Sequence, residues 1–163
     1  MSRAGTAVQA EAPSKRSLRI WLRLLGCTTL IEQAVRARLR DEFKVTLPQF
    51  DVLAELDAAG EPQTMSALSR RLMVSNGNVT GVIDRLARAD LVTRTPSSDD
   101  RRVQFIALTA VGQRRFATMA AAHEGWVDEL IGGLGDADGE RLADLLERTK
   151  KLIREHEARS PQA

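Results

Sequence analysis

Hydrophobic residues recur along this chain at helical spacing over most of its length, and cluster as strands do in one stretch past the middle. From Leu18 to about Phe43, the residues Leu18, Leu22 and Leu25 trace one stripe, with Leu24, Ile31, Val35 and Leu39 tracing a second beside it. Together they are wider than one contact surface needs, so this helix is expected to be covered on two sides. Thr46-Leu47-Pro48 opens a short helix, since proline is tolerated in a first turn, and Phe50, Leu53 and Leu56 give it an inner face before Gly60. Thr64 is placed to cap a third helix carrying Leu68 and Leu72. Ser75 is placed to cap a fourth, whose Val79, Val82, Ile83 and Leu86 fall at i, i+3, i+4 and i+7. Two short helices joined so tightly outline a helix-turn-helix.

After Asp90 the period changes. Leu91 to Arg94 and Val103 to Leu108 are rich in β-branched and apolar residues, and Pro96 to Asp100 carries turn chemistry, which together predict a β-hairpin with a charged tip. Thr109 then caps a long helix through Phe116, Met119, His123, Val127 and Leu130, which Gly132, Gly133 and Gly135 end. In the last helix, from Asp136, the residues Leu142, Leu145, Leu146, Thr149, Leu152 and Ile153 make a narrow apolar seam beside charged positions. Such a seam needs a partner. Since the first helix also has surplus apolar surface, both chain ends are expected to pack against a second copy in a two-fold dimer; the alternative is packing within one chain.

Composition narrows the class. With 43% hydrophobic and 28% charged residues in 163, the chain has the make-up of a soluble globular protein. Charges interrupt every apolar run before the roughly 18 residues that a membrane span needs, and the first sixteen residues lack the apolar core of a secretory signal, so a cytoplasmic location without membrane attachment is expected. A single cysteine, Cys27, excludes an internal disulfide. No GxSxG, HExxH, CxxC or phosphate-cradling glycine loop is present, so neither an enzyme nor a bound cofactor is expected. His123-Glu124 and His156-Glu157 lie on different helices without zinc-ligand spacing, and no metal site is expected.

Charge is unevenly placed. The net charge is only +2, yet residues 1–47 carry nine Lys/Arg against four Asp/Glu and residues 64–106 carry seven against four, whereas residues 48–63 hold four acids and no base. Basic concentrations of this kind are the electrostatic footprint of phosphate binding, although solvated arginines give the same count. In the fourth helix, a 100° projection puts Gly77, Thr80, Gly81, Asp84 and Arg88 opposite the apolar side. Short side chains there let the backbone lie close to a groove floor, with Asn76, Asn78 and Arg85 flanking as donors and acceptors. Two glycines inside a helix cost about 1 kcal/mol each relative to alanine, which suggests a need for close approach. At the hairpin tip, Asp100 is expected to fix the Arg102 guanidinium through a charge-assisted bond, aiming a planar cation at a narrow minor groove.

The order and wording of three segments, LPQFDVLAEL, MSALSRRLMVSNGNVTGVIDRLARADLVTR and SSDDRRVQFIALTAVG, resemble the MarR-type winged helix-turn-helix regulators over about residues 18–155. The resemblance implies a mainly α fold with a small β-hairpin wing. It further implies a tail over 1–16, a dimerisation helix over 17–47, a DNA-binding lobe over 48–108, dimerisation helices over 109–157 and a tail over 158–163. It assigns double-stranded DNA as a partner, with Ser75, Asn76, Asn78, Thr80, Gly81 and Arg85 in the major groove and the wing residues Asp100 and Arg102 at the minor groove. Gly81 departs from the longer polar or basic residue that many members carry, a departure that bears on the usual base contact there.

Members of this family commonly repress genes and release DNA when a small molecule binds. The run SLRIWLRLLGCTTLIEQAVRARLRDEFKVTLPQFDVL, with AAHEGW, is similar to a subgroup associated with aromatic-acid catabolism, which implies an aromatic acid or its coenzyme A thioester as effector. Arg19, Arg23 and Arg36 would receive carboxylate or phosphate groups, and Trp21, His123 and Trp126 would flank an apolar body; the same arginines also suit the DNA backbone or solvent. Cys27 offers a redox alternative. The peroxide-sensing relatives pair their cysteine with tyrosines, this chain has no tyrosine, and a buried structural thiol is the expectation. A winged-helix module that binds protein is the remaining alternative.

Overall fold

The computed structural model describes residues 15–73, 76–98, 100 and 102–159, with Asn76 by its backbone alone. The expected cap Ser75, the side chain of Asn76 and the tail residues 1–14 and 160–163 lie outside the described residues. The chain divides into two units, Met1–Ala34 and Val35–Ala163. Helix α1, Lys15–Arg38, starts two residues inside the expected tail. Its portion in the first unit exposes Leu18, Trp21, Leu22, Leu25 and Leu30. Cys27 is exposed as well. The expectation of a buried thiol is therefore corrected, because most of this stretch presents its side chains to solvent.

In the second unit, the C-terminal turns of α1 continue as a wide helical turn over Leu39–Phe43, closed by Lys44 in the left-handed region at φ 58°. Thr46 precedes α2, Leu47–Ala59, with Gln49 Oε1 accepting the Thr46 backbone N–H at 2.9 Å. Gly60, at φ 65°, ends α2 by donating to the Leu56 and Asp57 carbonyls, a conformation that glycine reaches without a steric penalty. Thr64 accepts the Ala67 N–H and caps α3, Met65–Leu72. Helix α4 runs over Asn76–Arg88. Val79, Ile83 and Leu86 are buried as expected, while Val82 is only half-buried at the helix flank.

The sheet has three strands in the order β1-β3-β2: β2 is Val92–Pro96, β3 is Gln104–Leu108, and β1 is the pair Gln63–Thr64, which the sequence pattern does not announce. All pairings are antiparallel, with Arg94 opposite Ile106 and Gln63 also opposite Ile106 on the other edge. Thr109 caps α5, Ala110–Ile131, by accepting the Gly112 N–H at 2.8 Å, and its hydroxyl donates to the Asp90 carbonyl at 2.7 Å. One side chain thus starts a helix and pins the beginning of the hairpin. On α5 the buried positions are Gly112, Phe116, Met119 and Trp126, with His123 half-buried between the last two, and Leu130, expected on the inner face, is exposed. A single turn over Gly132–Leu134 leads into α6, Asp136–Arg159, whose Leu142, Leu145, Leu146, Leu152 and Ile153 are all exposed.

Candidate nucleic-acid interface

The helix-turn-helix is built from α3 and α4, both packed on α2. Burial of Leu68, Val79, Ile83 and Leu86 fixes the rotation of α4, because a helix that seats one apolar stripe must turn the opposite stripe outward. That outward surface carries Gly77, Asn78, Thr80, Arg85 and Arg88, all exposed, with Gly81 and Asp84 half-buried. A Cβ added at Gly77 or Gly81 would meet no atom within 4 Å. Among the described residues nothing therefore demands glycine at either site, and Gly81, inside the helix, forgoes about 1 kcal/mol relative to alanine.

The hairpin tip is braced by its own backbone. Ser97 N–H donates to the Val103 carbonyl at 2.9 Å, and Val103 N–H donates to the Asp100 carbonyl at 2.9 Å. Asp100 Oδ1 accepts the Arg102 backbone N–H at 2.9 Å. Here the structure corrects the expected guanidinium contact: a short aspartate two residues before a peptide N–H reaches the backbone in an Asx-type turn more readily than it reaches the end of a long side chain. Arg102 remains exposed. Asp84 on α4 forms an ion pair with Arg94 on β2, a contact between helix and hairpin absent from the sequence reading.

Beside α4 lies an open groove of about 410 Å³ lined by Arg36, Pro48, Asp51, Val52, Leu72, Asn78, Val79, Val82 and Arg85. Two expected DNA-facing residues, Asn78 and Arg85, thus share a cavity with one expected effector residue, Arg36. The other expected effector residues are placed differently. Arg19, Trp21 and Arg23 belong to the first unit and are exposed. His123 stacks on Phe50 with ring centroids 4.9 Å apart, and Trp126 lies tilted against Phe43 at 6.0 Å. Arg38, which the sequence reading passed over, stands 5.8 Å from the Trp126 ring centroid and pairs with Glu129 at 2.6 Å. Arg36 and Arg38, two positions apart on one helix, serve separate surroundings.

A family model described as MarR family matches residues 45–103, the span from the start of α2 into the hairpin. The transcriptional activatory protein BadR of Rhodopseudomonas palustris is 30% identical over 120 residues, covering 72% of this chain and 68% of that protein. The regulator MhqR of Bacillus subtilis is 29% identical over 100 residues, covering 61% and 68%. A crystal structure of an E. coli MarR variant complexed with operator DNA superposes with a TM-score of 0.72 at 22% identity, covering 82% of this chain and 95% of that one.

Proposed function

The chain belongs to the MarR family of DNA-binding transcriptional regulators, and on that premise we propose that it holds a two-fold operator as a homodimer and leaves it when a small aromatic acid or its coenzyme A thioester binds. The observation that carries the DNA reading is the outward surface of α4, where two glycines lie in open space between exposed polar side chains. Such a surface suits a groove floor, with Ser75, Asn76, Asn78, Thr80, Gly81 and Arg85 as the major-groove set and Asp100 and Arg102 as the wing set. Exposed leucines on α1 and α6 support the homodimer, since apolar surface of that extent is covered in a stable protein. The dimer would place the two reading helices about one helical turn of DNA apart.

Effector release is supported by the groove at Arg36. Its apolar walls, Pro48, Val52, Leu72 and Val82, suit an aromatic ring, and Arg36 and Arg85 suit a carboxylate. At about 410 Å³ it takes the acyl portion of a thioester and leaves the nucleotide outside. A ligand there competes for Asn78 and Arg85, and so has the differential affinity for free and DNA-bound states that release requires. Occupancy of the operator is proposed to repress.

The test is titration of the full chain against a duplex that the protein itself selects from a randomised pool, across a series of salt concentrations. Steep salt dependence, loss of affinity in Arg102→Ala and release by aromatic acids or their thioesters are expected. Unchanged affinity in Arg102→Ala removes the wing assignment, failure of a broad acid panel removes the effector, and increased transcript yield in a run-off assay reverses the sign of regulation.

A further inference from the structure

Asp84 is the single acid in α4, and it stands on the outward side of a helix whose other charges there are arginines. An unpaired carboxylate facing DNA phosphates is repulsive. Its partner is equally out of pattern: Arg94 follows the buried Val92 by two along β2 and lies opposite the buried Ile106, so it occupies the inner side of the strand at an exposed position just past the core. The side chains are 47% and 33% exposed, and a pair this open contributes about 0–1 kcal/mol to folding. Stability therefore does not account for a cation on the inner side of a strand meeting an acid on the outer side of a helix.

We infer that the Asp84–Arg94 pair is a strut that sets the position of the wing against the recognition helix, so that the two DNA-reading elements arrive as one rigid unit. The geometry supplies both requirements. Among the described tip residues, Ser97, Asp100, Arg102 and Val103 are tied to one another by hydrogen bonds, which couple the position of β2 to that of Arg102. The pair also ties β2 to α4 beyond Val92, the last residue of that strand seated in the core. Neutralising Asp84 is a second consequence of the same contact. Both are positioning residues, acting through Arg102 and α4 without being required to touch DNA.

This inference rests on the wing reading proposed above, and the experiment separates the two. Affinities for the self-selected duplex and for a scrambled duplex are measured for the full chain, Arg102→Ala, Asp84→Asn and the double variant, with Arg94→Gln breaking the pair from its other side. Asp84→Asn and Arg94→Gln are expected to leave thermal unfolding within a degree or two, to weaken the selected duplex about tenfold and to leave scrambled DNA bound as tightly or more tightly. The penalty for Arg102→Ala is expected to shrink severalfold when Asp84 is absent, because an unlatched wing has already lost its aim. Equal Arg102→Ala penalties in both backgrounds overturn the strut while leaving the wing reading intact. No penalty for Arg102→Ala in either background overturns both.

Discussion

The Arg38 guanidinium lies over the Trp126 ring and at the same time holds Glu129, so the end of α1 is fastened to α5 by one side chain using two kinds of contact. Trp126 is itself buried, against Phe43 and His123. Truncation of Trp126 to alanine is expected to cost about 3–5 kcal/mol, whereas Arg38→Met, which keeps the covering stem and removes the charge, is expected to cost about 1 kcal/mol. Chemical denaturation of the two variants checks the ratio.

Gly112 in the first turn of α5 admits no side chain. A Cβ there would lie 2.0 Å from the Leu91 carbonyl oxygen, and backbone is the least yielding neighbour a new atom can meet. Gly112→Ala is expected to lose at least 1–3 kcal/mol, roughly the cost of an overpacked core, despite alanine's better helix propensity. A variant as stable as the native chain in thermal unfolding would contradict this packing.

The opposite sign is expected on α4. With open space at both glycines, Gly81→Ala should raise stability by about 0.5–1 kcal/mol. Under the proposed groove docking, Gly77→Ala and Gly81→Ala should also weaken DNA binding, and Gly81→Leu should weaken it further. Equal or improved affinity in the alanine variants would show that close approach is not why the glycines are there.

For the dimer, a charge in the apolar seam of α6 is the direct probe. Leu142 and Leu145 are 41% and 49% exposed, so Leu142→Glu or Leu145→Glu should leave the isolated fold intact, as judged by circular dichroism. Sedimentation at micromolar protein is expected to shift from dimer to monomer, with operator affinity falling because two linked half-sites become independent. A native chain that sediments as a monomer would remove the two-fold operator with it.

Much of the fold is legible in the sequence because its signals are local. Thr46, Thr64 and Thr109 each stand at a helix start, where a hydroxyl next to an apolar repeat has few other uses. The buried stripe Val79, Ile83, Leu86 follows from spacing alone. What escapes is set by distance along the chain. Strand β1 is two residues long and exists only because β3, some forty positions later, offers it a free edge. The inner face of α5 passes through Trp126 rather than Leu130, since Phe43 and Arg38 from another element decide which side is covered.

At the interface, the outward residues of α4 are readable from the helical projection, yet two polar contacts are not. Asp100 accepts from a peptide N–H where a side-chain donor is expected, a choice between two donors of the same residue that only the turn geometry settles. Arg94 carries a usable clue, namely a charge two residues after a valine on a strand, but its partner lies ten positions back on a helix. The groove that joins Arg36 to Asn78 and Arg85 likewise gathers residues from four helices.

Thr109 joins the Asp90 carbonyl by its hydroxyl, and its own N–H donates to the Leu91 carbonyl at 3.1 Å. Leu91 N–H in turn donates to the Leu86 carbonyl at the end of α4, and Asp90 sits in the left-handed region at φ 55°. The end of α4, the start of the hairpin and the start of α5 therefore meet at the backbone of Asp90 and Leu91. A tilt of α5 is expected to pass through this junction to α4 and to the hairpin together, like a handle shared by the two prongs of a fork.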